Sequence, residues 1–117
     1  MTTFNAHAEQ HKNSTTMITV VGYLDAHTAP ELERTIGAQV RSGNVRLIVD
    51  FTELEYISSA GLGVFMVFIE RIRSQGGDIK LAAMKEKVFS VFDLLGFPIL
   101  FNIYSTVEEA VNAFPAV

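Results

Sequence analysis

Along almost its whole length the chain alternates between short runs with the period of a strand and longer stretches with the apolar spacing of a helix. That alternation restricts it to an α/β fold with a mostly parallel sheet and covering helices. Phe4, Ala6 and Ala8 alternate with Asn5, His7 and Glu9, the two-residue period of a half-buried strand. His11-Lys12-Asn13-Ser14 is a polar turn, and Thr15 to Val21 is a second, β-branched strand, predicted antiparallel to the first. Gly22-Tyr23-Leu24-Asp25 is read as leaving that strand.

A helix follows, with Thr28 as its N-cap, Pro30 in the first turn, and Glu31 and Glu33 at the positive end of the dipole. Leu32, Ile36 and Val40 mark its buried stripe and Gly43 stops it. Val45 to Val49, ending at Asp50, has the unbroken apolar character of a central strand covered on both faces. Phe51 to Tyr56 reads as a connection, and a second helix runs from about Ser59 to Gln75 before Gly76-Gly77. Ile79 to Ala82 is a strand, Glu86 to Leu95 a helix closed by Gly96 and Pro98, and Leu100 to Ile103 a last strand. Thr106 to Ala113 is a final helix, with Thr106 and Glu109 spaced as a capping box.

These elements fit a single domain spanning residues 1–117, and 49% hydrophobic against 19% charged residues supplies its core. A net charge of −4 argues against a nucleic-acid footprint or an anionic membrane surface as partner. With no cysteine there is no disulfide, thiolate metal site or thiol nucleophile. Met1 to Ser14 holds no continuous apolar stretch of a secretory signal, and the run Val64 to Ile69 is far shorter than the ~20 residues of a bilayer crossing. The expectation is a soluble, cytoplasmic domain without membrane insertion.

One segment does more than build a core. In Tyr56-Ile57-Ser58-Ser59-Ala60-Gly61-Leu62-Gly63, two serines open a helix whose first turns hold two glycines. Each glycine costs ~1 kcal/mol against alanine inside a helix. Packing against a strand is one explanation, with Ser58 a plain N-cap. Close approach by another molecule is the other, since a helix N-terminus favours a phosphate or carboxylate. Val64 to Ile69 reads as buried all round; Leu62, Phe65 and Phe68 are core by default, with Leu62 the one expected to be partly exposed.

The stretch resembles the signature of the STAS-domain family, specifically the bacterial anti-sigma factor antagonists. Their pattern runs from a strand ending in Asp, here Val49-Asp50-Phe51, to Asp-Ser-Ser-Gly-Leu-Gly, here Ser58 to Gly63. Gly22-Tyr23-Leu24-Asp25 matches the family's Gly-x-Leu-Asp element, and Gly76-Gly77 and Val107-Glu108-Glu109-Ala110 also fit. The resemblance extends from about Phe4 to Phe114. It departs at Ser58, where the family commonly has Asp, and at Ala60, where it has Ser.

The resemblance implies a partner-switching regulator. Its unmodified form would bind a serine-kinase anti-sigma factor and free the sigma factor. The kinase would phosphorylate Ser59, with Ser58 as second choice, and a serine phosphatase would reverse the modification. Asp25, Thr28, Ser58, Ser59, Gly61, Leu62 and Gly63 form the implied partner surface, with Asp25 near Ser59. The alternative is a STAS scaffold subunit of a transporter or signalling assembly that is never phosphorylated.

Catalysis finds no support. His7 and His11 have metal-ligand spacing only on a helix, and the surrounding alternation is a strand's. Glu53 and Glu55 read as solvated, not as paired acids. Ser59 lacks the glycine two residues upstream of a hydrolase elbow, His27 near Asp25 has no oxyanion or orienting group to complete a triad, and no phosphate-binding Gly-x-x-x-x-Gly-Lys occurs. No cofactor or metal is expected.

Overall fold

In a computed structural model, which describes residues 3–117, the elements follow the predicted order. Strands β1 (Phe4–His11) and β2 (Thr15–Leu24) are joined by a short 3-10 turn, and α1 (Ala29–Arg41) leads to β3 (Arg46–Ile57). Then come α2 (Ser59–Ser74), β4 (Asp78–Ala82), α3 (Glu86–Leu94), the one-turn α4 (Phe97–Leu100), β5 (Asn102–Tyr104) and α5 (Val107–Ala113). The five strands lie side by side in chain order. β1 is antiparallel to β2, and β2 to β5 are parallel.

Burial divides the molecule into two unequal layers. Leu32, Ile36 and Val40 of α1 and Leu62, Phe65, Phe68, Ile69 and Ile72 of α2 pack with Leu47, Val49 and Phe51 of β3, joined by Val88 and Phe92 of α3. On the reverse face, Ala110 and Val111 of α5 with Phe114 cover Met17, Ile48 and Ala82, with Ala83 and Tyr104 packed at the margin. Residues 47 to 49 therefore alternate between two covered faces, as their continuous apolar character predicts. α5 carries the expected capping box: Glu109 N–H donates to Thr106 Oγ1 at 3.1 Å and the Glu109 carboxylate accepts the Thr106 N–H at 3.3 Å.

Three expectations give way. Residues 51 to 56 are not a connection, because β3 continues to Ile57 and β2 to Leu24, paired up to Leu24↔Ile57. Two register shifts, where β3 carries an extra residue against β2, break the two-residue alternation; the buried side chains become Phe51, Leu54 and Ile57. The polar Glu53 and Glu55 thus sit in a strand whose period is disguised. Pairing of β3 with β4 stops at Asp50↔Ala82, so the β2–β3 ribbon projects beyond the rest of the sheet. The last strand begins at Asn102, not Leu100, because Pro98 sits in the first turn of α4 and pre-sets its helical φ. Finally, Thr28 does not cap α1 through its side chain.

At the opposite end of the sheet from the ribbon tip, Asp78 gathers Arg73 Nε at 2.9 Å, Lys80 Nζ at 3.0 Å and Asn102 Nδ2 at 2.9 Å. Burial pushes its carboxyl up, but the hydrogen bonds from Lys80, Arg73 and Asn102 outweigh burial and hold it below the ordinary carboxylate value. This cluster ties the end of α2 to β4 and β5.

Candidate functional site

The projecting ribbon places the two serines. Ser58 has extended backbone angles, as an N-cap should. Its N–H donates to the Leu24 carbonyl at 2.9 Å, which joins the start of α2 to the end of β2. Its hydroxyl accepts the Gly61 N–H at 3.4 Å, and its carbonyl accepts the first helical bond from Leu62 N–H at 3.1 Å. Ser58 is half-buried in that role, whereas Ser59 and Ala60 are exposed. The structure gives the two hydroxyls different tasks: one closes the helix, the other faces solvent. The N–H groups of Ser59 and Ala60, in the first turn, have no acceptor within the helix and favour an anion.

Asp25 follows Leu24 directly, so the Leu24–Ser58 bond brings its turn to the same end of the sheet. There Asp25 caps α1: its Oδ1 accepts His27 N–H at 2.9 Å and Thr28 N–H at 3.2 Å, and its carbonyl accepts Ala29 N–H at 2.8 Å. Thr28 closes the turn from the other side, its hydroxyl accepting Asp25 N–H at 2.9 Å and donating to the Tyr23 carbonyl at 2.8 Å. The cap expected of Thr28 is thus supplied by Asp25, because three residues of turn precede the first helical N–H. Asp25 is held in place, half-buried.

The two glycines of α2 separate cleanly. A Cβ on Gly61 would stand 2.7 Å from Leu24 Cγ and 3.1 Å from Ile57 Cγ1, so packing demands that glycine. A Cβ on Gly63 would meet nothing within 4 Å. Its helix-interior cost of ~1 kcal/mol is therefore not compensated by any contact among the described residues. Leu62, expected to be partly exposed, is 1% exposed and belongs to the core; it faces Phe65 and Ile69 along the buried side of the helix, not a partner. Gly61 is buried as well and can meet a partner only through its neighbours.

Two features escaped the sequence reading. Met66 and Val67 lie within the run read as buried, yet they are 44% and 61% exposed. The helix packs on one side only, so an apolar run without polar interruption conceals an outward face. Tyr23 and Tyr56 stand opposite each other on the ribbon and stack at 5.9 Å, both exposed. Their alternation with buried Leu24 and Ile57 was the available signal. The ribbon is braced from the start of α3, where Lys87 in its first turn and Lys85 just before it bond to Glu55 and lower its carboxyl pKa, and Lys85 also donates to the Thr52 carbonyl.

Around Ser59 the structure supplies exposure, a helix end and small neighbours. Asp25 is committed to backbone N–H groups, and His7 and His11 both lie in β1 as the alternation predicts. Among the described residues no group of His, Cys, Asp or Glu side chains could hold a metal ion, and no helix is long and apolar enough to cross a membrane. The arrangement suits modification and docking.

The STAS domain family model matches residues 5–110. The BtrV protein of Bordetella bronchiseptica is 36% identical over 93 residues, 80% of each chain. The anti-sigma-B factor antagonist of Listeria monocytogenes is 33% identical over 96 residues, covering 81% of this chain and 82% of that protein. Among solved structures, an anti-sigma factor antagonist from Mycobacterium paratuberculosis superposes with a TM-score of 0.86 at 27% identity, over 95% of this chain and 93% of the other. The matched span takes in both the β2–β3 ribbon and the whole of α2, and the chain belongs to the STAS domain family.

Proposed function

We propose that this chain is an anti-sigma factor antagonist whose unmodified Ser59 surface binds a serine-kinase anti-sigma factor and releases the sigma factor. Phosphorylation of Ser59 by that kinase ends the contact, and a serine phosphatase restores it. The observation that carries the reading is the split between the serines: Ser59 is exposed at the first position of α2, while the Ser58 hydroxyl is engaged in the cap. The relatives named as anti-sigma-B factor antagonists support the partner class.

The chemistry is consistent with a reversible switch. A phosphoryl group adds roughly −1.5 to −2 charge at pH 7. The positive end of a helix accommodates such a charge, with a favourable term of ~0.3–1 kcal/mol at an exposed site. The fold therefore survives. A docked partner must instead desolvate the dianion, with the Asp25 carboxylate at the same end adding repulsion, and it leaves. Thr28 contributes by holding the Asp25 turn.

The test compares Ser59→Ala and Ser59→Asp against the purified serine-kinase anti-sigma factor of the same organism. Ser59→Ala binds like the unmodified protein, displaces sigma factor and takes up no phosphate; Ser59→Asp binds at least tenfold more weakly. Equal affinity of both variants overturns the reading. Ser58, uncharged where the family commonly carries Asp, favours a second reading as a scaffold subunit. In that case neither serine is phosphorylated and neither variant changes assembly.

A further inference from the structure

We infer that the partner lies along the outer face of α2 as well as on its tip, seated on Gly63, Met66 and Val67. The inference rests on the reading of Ser59 as a partner surface and extends it. The buried residues of α2 are Gly61, Leu62, Val64, Phe65, Phe68, Ile69 and Ile72, which leaves Ser59, Gly63, Met66, Val67 and Glu70 as one outward stripe. An outward helix face ordinarily carries charged and polar side chains. Here charge begins only at Glu70 and Arg71; before them stand a glycine with open space beside it and two apolar side chains 44% and 61% exposed.

Gly63 follows Ser59 by four residues, roughly 6 Å along the helix axis, so the stripe is continuous with the modified position. A missing side chain at Gly63 lets a neighbouring backbone approach α2 closely, with Met66 and Val67 as the apolar contact beyond it. The partner chemistry that fits is an apolar segment flanked by a cation and a carboxylate that complement Glu70 and Arg71, both exposed and without an ion pair among the described residues. Such a contact excludes water at the margin where Ser59 stands. That gives phosphorylation its leverage, since a dianion there must lose hydration for the partner to stay.

A second apolar surface, at Leu94 and Ile99 on α3 and α4, is 85% and 89% exposed. It serves as the comparison. Binding of the purified serine-kinase anti-sigma factor to the full chain is measured by titration calorimetry for Gly63→Ala, Val67→Ser, Leu94→Ser and Ser59→Asp, with the thermal midpoint of each variant. Gly63→Ala raises the thermal midpoint yet weakens binding at least fivefold, because the added methyl improves the helix and blocks the approach. Val67→Ser also weakens binding at least fivefold, and Leu94→Ser stays within twofold. If Gly63→Ala and Val67→Ser both bind within twofold of wild type while Ser59→Asp is weakened, the partner touches only the tip and the inference fails alone. Loss on Leu94→Ser with Val67→Ser unchanged assigns the partner to α3 and α4 and also overturns it. Undiminished binding by Ser59→Asp overturns instead the reading of Ser59.

Discussion

Gly61 lies so close to Leu24 that a Cβ on the glycine would stand 2.7 Å from the leucine Cγ. Since Leu24 is fully buried, its side chain has no solvent to retreat into. Gly61→Ala should therefore destabilise the protein by about 1–3 kcal/mol, the usual range for an overpacked site. Urea unfolding measures it. An unchanged midpoint would mean that Leu24 repacks freely and that the glycine has a role outside packing.

Asp78 makes the stability depend on acid. Its burial raises the carboxyl pKa, but Lys80, Arg73 and Asn102 bring it below the ordinary value. A carboxylate depressed in the folded state contributes stability that is present above its unfolded pKa of ~4 and is lost as pH falls through the lower folded value. Urea midpoints of wild type should drop more steeply than those of Asp78→Asn below about pH 4, although the variant is the less stable at neutral pH. Parallel curves would remove Asp78 from the acid response.

Ala83 adopts φ +62° just after β4, a left-handed conformation that costs an L-residue roughly 1–2 kcal/mol. Its N–H donates to the Tyr104 carbonyl at 3.1 Å, so the backbone there is fixed by β5. Ala83→Gly should stabilise by about 0.5–1 kcal/mol once the greater freedom of glycine in the unfolded chain is deducted. A lower thermal midpoint would contradict this.

What could be read from the sequence was whatever local chemistry decides. The capping box of Thr106 and Glu109, the stripe of Leu32, Ile36 and Val40, and the both-faces burial of residues 47 to 49 each follow from a few neighbouring residues. The strand over residues 51 to 57 did not, because its period is broken by bulges that only the register against β2 reveals. Leu62 and Met66 show the same limit within one helix. Both are apolar, and only the placement of the sheet decides that the first is buried and the second half-open. The exposed Tyr23–Tyr56 stack likewise depends on a cross-strand register that neither residue specifies alone. Of the implied partner surface, the structure brings Asp25, Thr28, Ser58 and Ser59 to one end of the sheet and gives Gly61 and Leu62 to the core.

The most direct measurement is the site and stoichiometry of phosphate after the purified chain meets its serine-kinase anti-sigma factor and ATP, read by intact mass and peptide mapping. The account predicts one phosphoryl group, on Ser59, none on Ser59→Ala, and wild-type modification of Ser58→Ala at a reduced helix stability. Phosphate on Ser58, or on any residue outside the α2 N-terminus, would contradict it.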